Sequence, residues 1–252
     1  MENQEINVAE LIAEINEKFK ENTLTNKVYN KLQALLVLTS KVIDISKVDV
    51  ESYIKTLVIN YCEDLTRYYH NFNHIDSMIE YANYYINYNK IPLELEDSVA
   101  LYTAIIFHDV VYDLSETNEE ESAKIFLKIF GQNRDICDIN TPWVSKDFYD
   151  KVVTLILITK KNPWSIDYHR YDTRYIISQA DWCQFEDTQT AFIYDELIKS
   201  EALQKFNMKK RIYNNKRVKF LKNMLIYKDK FPEDKRLAII EFLLKTKYNL
   251  PL

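Results

Sequence analysis

The chain has 252 residues, 47% of them apolar and 28% charged, with a formal net charge of −5 and one glycine, Gly131. Average usage near ~7% would give roughly 18 glycines, so the composition argues against a fold of tight hairpins and excludes a glycine-rich phosphate loop. The acidic balance argues against general affinity for nucleic acid, although a local basic groove is compatible with it.

In chain order the predicted elements are helices. Leu11, Ile12, Ile15 and Phe19 form one apolar stripe, and Leu32, Leu35, Leu36, Val42 and Ile43 suggest a second. Similar patterns follow at about 51–66, 73–88, 95–109, 119–130, 146–159, 187–206, 213–227 and 233–246. Thr117 and Glu120 have capping-box spacing at the start of the 119–130 segment, and Gly131 stands where a helix commonly ends on a left-handed residue. Pro92, Pro142, Pro163, Pro232 and Pro251 all fall between or beyond helices. Segments 132–145 and 161–172 read as long loops. No internal repeat, low-complexity tract or linker interrupts the pattern. The expectation is an all-α, single-domain helical bundle, with residues 1–55 as N-terminal helices packing on a core of residues 56–250.

Cys62, Cys137 and Cys183 are odd in number and share no C-x-x-C spacing, which suggests neither a disulfide framework nor a cysteine zinc site. Residues 1–15 lack the basic-then-apolar pattern of a secretion signal. Apolar stretches such as Val99–Phe107 fall far short of the ~20 residues that cross a bilayer. A soluble, cytoplasmic protein with no membrane partner is expected.

Candidate chemistry is concentrated in the histidines, since three of the four lie between positions 70 and 108. The first group reads Arg67-Tyr68-Tyr69-His70-Asn71-Phe72-Asn73-His74-Ile75, and the second runs from Ile105 through His108-Asp109 to Tyr112 and Asp113. His108-Asp109 follows an apolar run, which places the pair where a buried helix ends and its side chains meet a cavity. An adjacent imidazole and carboxylate can serve one metal ion. A histidine from a neighbouring helix and a distant aspartate would complete a mixed N/O shell, suited to Mn, Fe, Zn, Co or Mg. Taken singly, an H-x-x-x-H pair or a His-Asp dipeptide is more often ordinary packing; their order and context carry the reading.

On these residues the chain resembles the HD superfamily of metal-dependent phosphohydrolases. It is most similar to a small family with the pattern R-x-Y-H-N-x-x-H-I, then H-D-V-V-Y-D, then N-E-E-x-S-A, then an A-D pair. Arg67, Tyr69, His70, Asn71, His74 and Ile75 match the first motif, and His108 to Asp113 the second. Asn118-Glu119-Glu120 with Ser122-Ala123 matches the third, and Ala180-Asp181 the last. The Y-H-N-x-x-H stretch is also similar to that of cyclic-nucleotide phosphodiesterases. The similarity runs from about residue 60 to about 245 and includes Lys216-Arg217-Val218 leading into Leu221. By position, the resemblance implies His74, His108, Asp109 and Asp181 as metal ligands, with one or two divalent ions and Asp109 placed to bridge a second. It also implies His70 as the group that protonates the leaving oxygen. A metal-activated water would attack phosphorus.

Flanking residues carry two readings each. Arg67 offers a planar fork to a phosphate, or an ion pair to Asp64 or Glu63. Asp113 can orient the nucleophilic water or hold an imidazole from outside the ligand shell, whereas Glu119 and Glu120 read first as acids favoured at a helix start. Asn71 and Asn118 can position loops at the site or cap helices. Tyr69 and Tyr112 can line the substrate pocket or simply pack. Lys209-Lys210-Arg211 reads as a solvated helix face, and His169 as a loop histidine without a metal partner. Family members usually carry a histidine shortly after the position of Thr159; here Lys160, Lys161 and Asn162 stand there, so Lys160 becomes a candidate phosphate contact. The usual D-A-D is reduced to Gln179-Ala180-Asp181, with Trp182 in place of leucine.

Two functions are expected to compete. One is a metal-dependent phosphohydrolase acting on a nucleotide, a cyclic nucleotide or another small phosphorylated molecule. The other is a degenerate HD-fold module that binds metal or nucleotide without turnover, motivated by the missing histidine.

Overall fold

The computed structural model describes residues 23–113, 115–132, 147–165, 168–231 and 233–250. Among these residues there are ten α-helices and no strand, so the protein is all-α. In chain order they are α1 (Thr23–Thr39), α2 (Val50–Val58), α3 (Phe72–Tyr88), α4 (Leu95–Phe107), α5 (Asn118–Ile129), α6 (Phe148–Ile158), α7 (Thr173–Asp181), α8 (Thr188–Gln204), α9 (Lys210–Leu225) and α10 (Lys235–Thr246). The stripe from Leu11 to Phe19, Cys137, Pro142, Pro232 and Pro251 lie outside the described residues. None of the described helices is long and apolar enough to cross a membrane.

The described residues divide into two compact units, one made of those within 23–64 and 89–160 and the other of those within 65–88 and 161–250. In the first, α4 has an acidic first turn with Glu96 and Asp97 and is then buried along Val99–Leu101 and Thr103–Phe107, which makes it the central helix. It packs on α6, α5 and α1. Beside it Tyr53, Phe107, Phe126, Phe130 and Phe148 form a nested set of edge-on and tilted rings. The Tyr61 hydroxyl, on a π-turn that continues α2, donates to the Ile106 carbonyl oxygen at 2.9 Å and ties that turn to α4.

Gly131 ends α5 as the sequence suggests. Its φ is +65°, and the Gly131 and Gln132 N–H groups donate to the Lys128 and Leu127 carbonyls, the paired bonds of a Schellman motif. Space demands glycine as well, because a Cβ there would stand 2.6 Å from the Lys47 carbonyl oxygen. Gly131→Ala is therefore expected to destabilise the protein by about 1–3 kcal/mol, read as a lowered urea midpoint; an unchanged midpoint would refute this role. The capping box expected at the other end of α5 does not form. Thr117 has φ −115° and ψ 19° rather than the extended geometry of an N-cap, and its side chain caps no backbone N–H.

In the second unit α7 lies along α3, and α8, α9 and α10 pack on one another. Their core holds Trp164, Trp182, Phe185, Leu221, Leu237, Ile240, Leu243 and Leu244. Aspartates cap most starts, with Asp172, Asp187 and Asp234 accepting from Arg174, Thr190 and Arg236 N–H. The helix α7 has no counterpart among the patterns read from the sequence.

Candidate metal centre

His108 is the residue that ends α4, and its backbone N–H still donates to Ala104 at 2.9 Å. Its Nδ1 lies 2.8 Å from the Ile105 carbonyl oxygen. A carbonyl only accepts, so Nδ1 carries the proton and Nε2 is left as the ligating nitrogen. Nε2 stands 2.9 Å from Asp109 Oδ2.

His74 sits in the first turn of α3 and is buried. Asn71 sets that turn. Its Nδ2 donates to the Arg67 and Tyr68 carbonyls, its Oδ1 accepts from the Asn73 N–H, and its carbonyl accepts from the His74 N–H. The amide of Asn71 is thereby spent on its own loop rather than presented to a substrate. Asp181, the last residue of α7, brings Oδ1 to 3.3 Å from His74 Nε2.

His74, His108 and Asp181 each present one ligand atom, all within 4.8 Å of one another, and this group could hold a metal ion. The donor set fits a borderline divalent cation. Two N/O ligands sharing one ion at about 2.0–2.2 Å stand about 3.0–3.4 Å apart, close to the 2.9 Å and 3.3 Å of the His108–Asp109 and His74–Asp181 pairs. A ligating lone pair facing a carboxylate oxygen at such a distance is repulsive unless a proton or a cation lies with them. Asp109 is not one of the three grouped residues; its carboxylate lies against His108.

His70, four residues before His74, points its Nδ1 at Glu201 Oε1, 2.9 Å away. The same carboxylate accepts the Tyr69 and His70 backbone N–H groups at 2.8 and 3.1 Å on its other oxygen. Burial of Glu201 pushes its pKa up, but the His70 side chain and the two backbone donors outweigh that and hold it below the usual glutamate value. Glu201 is a functional candidate that sequence reasoning missed, because α8 offers no local signal for one buried carboxylate among its polar residues. The Tyr69 ring is buried, 4.6 Å from both imidazoles and edge-on to Tyr194 at 5.3 Å. It acts as a wall that holds the two histidines.

In the other unit, the loop after His108-Asp109 is clamped by Asn118, whose Nδ2 donates to the Asp113 carbonyl. The Asp113 carboxylate accepts the Ser115 N–H, closing a short turn at an exposed position. Tyr112 is half-buried in that loop, while Arg67, in the unit of His70 and His74, is buried. The Lys160 amine is engaged by the Glu116 carbonyl and by Glu120 Oε1 at 2.8 Å. Glu119 has its pKa raised, first by burial and then by the neighbouring Asp109. A carboxyl set aside as a helix-start acid thus lies in the field of the His-Asp pair. His169 packs on Tyr171 in its own loop.

Comparison with protein-family models, curated proteins and solved structures finds no match.

Proposed function

We propose that the chain is a metal-dependent phosphohydrolase that uses water to cleave a phosphoester or phosphoanhydride in a nucleotide, a cyclic nucleotide or another small phosphorylated molecule. The observation that carries this reading is the set of His74, His108 and Asp181 ligand atoms within 4.8 Å of one another. These are positions at which the HD-superfamily resemblance expects ligands. A divalent ion held there would polarise a phosphoryl oxygen and make water nucleophilic near neutral pH.

The chain's own side chains would do the rest. His108 is held as an Nε2 donor by its bond to Ile105, and the Asp109 carboxylate adds negative charge beside it. His70, with Nδ1 bound to Glu201, has Nε2 as its exchangeable position. Held in this way by Glu201, the ring can give a proton from Nε2 to the departing oxygen. With a single glycine in the chain, phosphate recognition falls to the ion and to side chains rather than to a backbone cradle.

The test is a hydrolysis screen over nucleoside mono-, di- and triphosphates, cyclic nucleotides and dinucleotides, with and without chelator. Turnover is expected that chelator abolishes and that Asp109→Ala loses while remaining folded. Full activity in folded Asp109→Ala would refute the assignment. Stoichiometric metal without turnover on any member of the panel would favour the binding module instead.

A further inference from the structure

One feature of the second unit is untouched by this chemistry. The 27 residues 202–228 contain nine lysines and arginines and no acid, in a chain whose net charge is −5. Most of this run is α9. One side of the helix, with Tyr213, Leu221 and Met224, is buried against the core, and Arg217 is spent on Asp195 at 2.6 Å. The other side carries Ile212, Lys219 and Ile226 in a line, since seven residues make about two turns. Arg211 and Lys222 flank that line on one side and Lys216 on the other, and Asn215 and Asn223 lie among them. All of these are exposed, Ile212 at 47% and Ile226 at 71%. No ion pair holds Lys209, Lys210, Arg211, Lys216, Lys219 or Lys222 among the described residues.

Folding alone does not explain this arrangement. The first turn of α9 holds Lys210 and Arg211 after an uncapped Lys209, with no acid. Cations there oppose the helix dipole, and acids would be the stabilising choice. Exposed isoleucines between unpaired lysines gain nothing from water either.

We propose that this face of α9 docks the protein onto an anionic membrane surface. The lysines and Arg211 meet the headgroup charge while their stems lie flat, and Ile212 and Ile226 enter the acyl boundary at the two ends of a contact about 21 Å long. The charge complementarity is one-sided, as such a surface needs. A nucleic acid is the poorer fit. The exposed aromatic of α9, Phe220, is already stacked on Trp182 at 5.6 Å and 18°, so it offers bases no free platform, and the isoleucines gain nothing from a phosphate backbone. The expected absence of a membrane partner rested on the lack of a spanning segment, which peripheral docking does not require.

The experiment is co-sedimentation of the full chain with vesicles of phosphatidylcholine, with or without phosphatidylserine, at low and high salt. Binding is expected only to the phosphatidylserine vesicles and is expected to weaken with salt. The triple variant Lys216→Gln, Lys219→Gln, Lys222→Gln should bind roughly a hundredfold more weakly. Ile226→Ser should weaken binding several-fold without altering its salt dependence. Both variants change exposed side chains, and an unchanged melting temperature verifies that they fold. Absence of wild-type binding, or equal binding by the triple variant, overturns the proposal. Retention of a single-stranded RNA oligonucleotide by the same lysines, without vesicle binding, overturns it in favour of nucleic acid.

Discussion

Glu201→Gln is expected to lower turnover by about 10²–10⁴-fold while leaving metal content unchanged. The carboxylate holds His70 Nδ1 at 2.9 Å and also caps the Tyr69 and His70 backbone N–H groups. Glutamine keeps the volume and one acceptor oxygen, so the loop remains supported. It loses the negative charge that faces His70 Nδ1. Alanine would be a poorer probe, because it strands two buried N–H groups at a cost of about 1–3 kcal/mol each. Leaving-group dependence separates a proton-transfer role from a structural one. The defect should shrink sharply on a p-nitrophenyl ester, whose leaving oxygen departs without needing a proton. An equal defect on good and poor leaving groups would mean that Glu201 only supports the loop.

Asp195→Ala is expected to cost about 3–5 kcal/mol of stability. Asp195 is fully buried in α8 and faces groups from two other segments. Arg217 Nε reaches Oδ1 at 2.6 Å, while Lys247 and the Tyr248 hydroxyl reach Oδ2 at 2.5 and 2.7 Å. Alanine would leave the Arg217 cation buried without its anion, and Lys247 would keep only Glu196, 2.7 Å away. Burial pushes the Asp195 carboxyl up, but Arg217, Lys247 and Tyr248 outweigh it and hold its pKa below the ordinary aspartate value. The folded pKa is thus lower than the unfolded one. The stabilisation is complete above about pH 4 and is lost as pH falls through the folded value. Urea midpoints measured down that range should fall more steeply for the wild type than for Asp195→Asn. Parallel slopes, or a loss below about 1 kcal/mol in Asp195→Ala, would show the network to be dispensable.

What the sequence made legible follows from how local each signal is. α4 and the place of His108 at its end could be read because nine successive apolar or small residues precede Phe107-His108 with no break in character. Gly131 could be read because one glycine among 252 residues has few places to go. α7, which carries Asp181, escaped because it is nine residues long and opens on polar Thr173 and Arg174, leaving only Ile176, Ile177 and Ala180 to mark a buried face. Its start signal was present in Asp172, which accepts the Arg174 N–H.

Long-range partnerships were invisible for a different reason. Glu201 lies 131 residues from His70, and nothing in α8 distinguishes it from Glu196, which is exposed. The same holds for Asp195, whose cations come from α9 and from the segment after α10. Thr117 shows the converse failure, a motif with correct spacing whose backbone geometry does not form. Asn71 and Tyr69 each carry two readings in the sequence; their hydrogen bonds and ring packing place Asn71 in its own loop and Tyr69 against the two histidines, contacts the sequence alone does not show.

The most direct measurement is the metal content of the purified, exhaustively dialysed protein by elemental analysis, for wild type, His70→Ala, His74→Ala and Asp181→Ala. If His74, His108 and Asp181 form the site, the wild type and His70→Ala retain one or two divalent ions per chain. His74→Ala and Asp181→Ala would then lose them while keeping their helical content. A wild type that binds no divalent ion when it is supplied, or a folded His74→Ala with its full complement, would contradict the account.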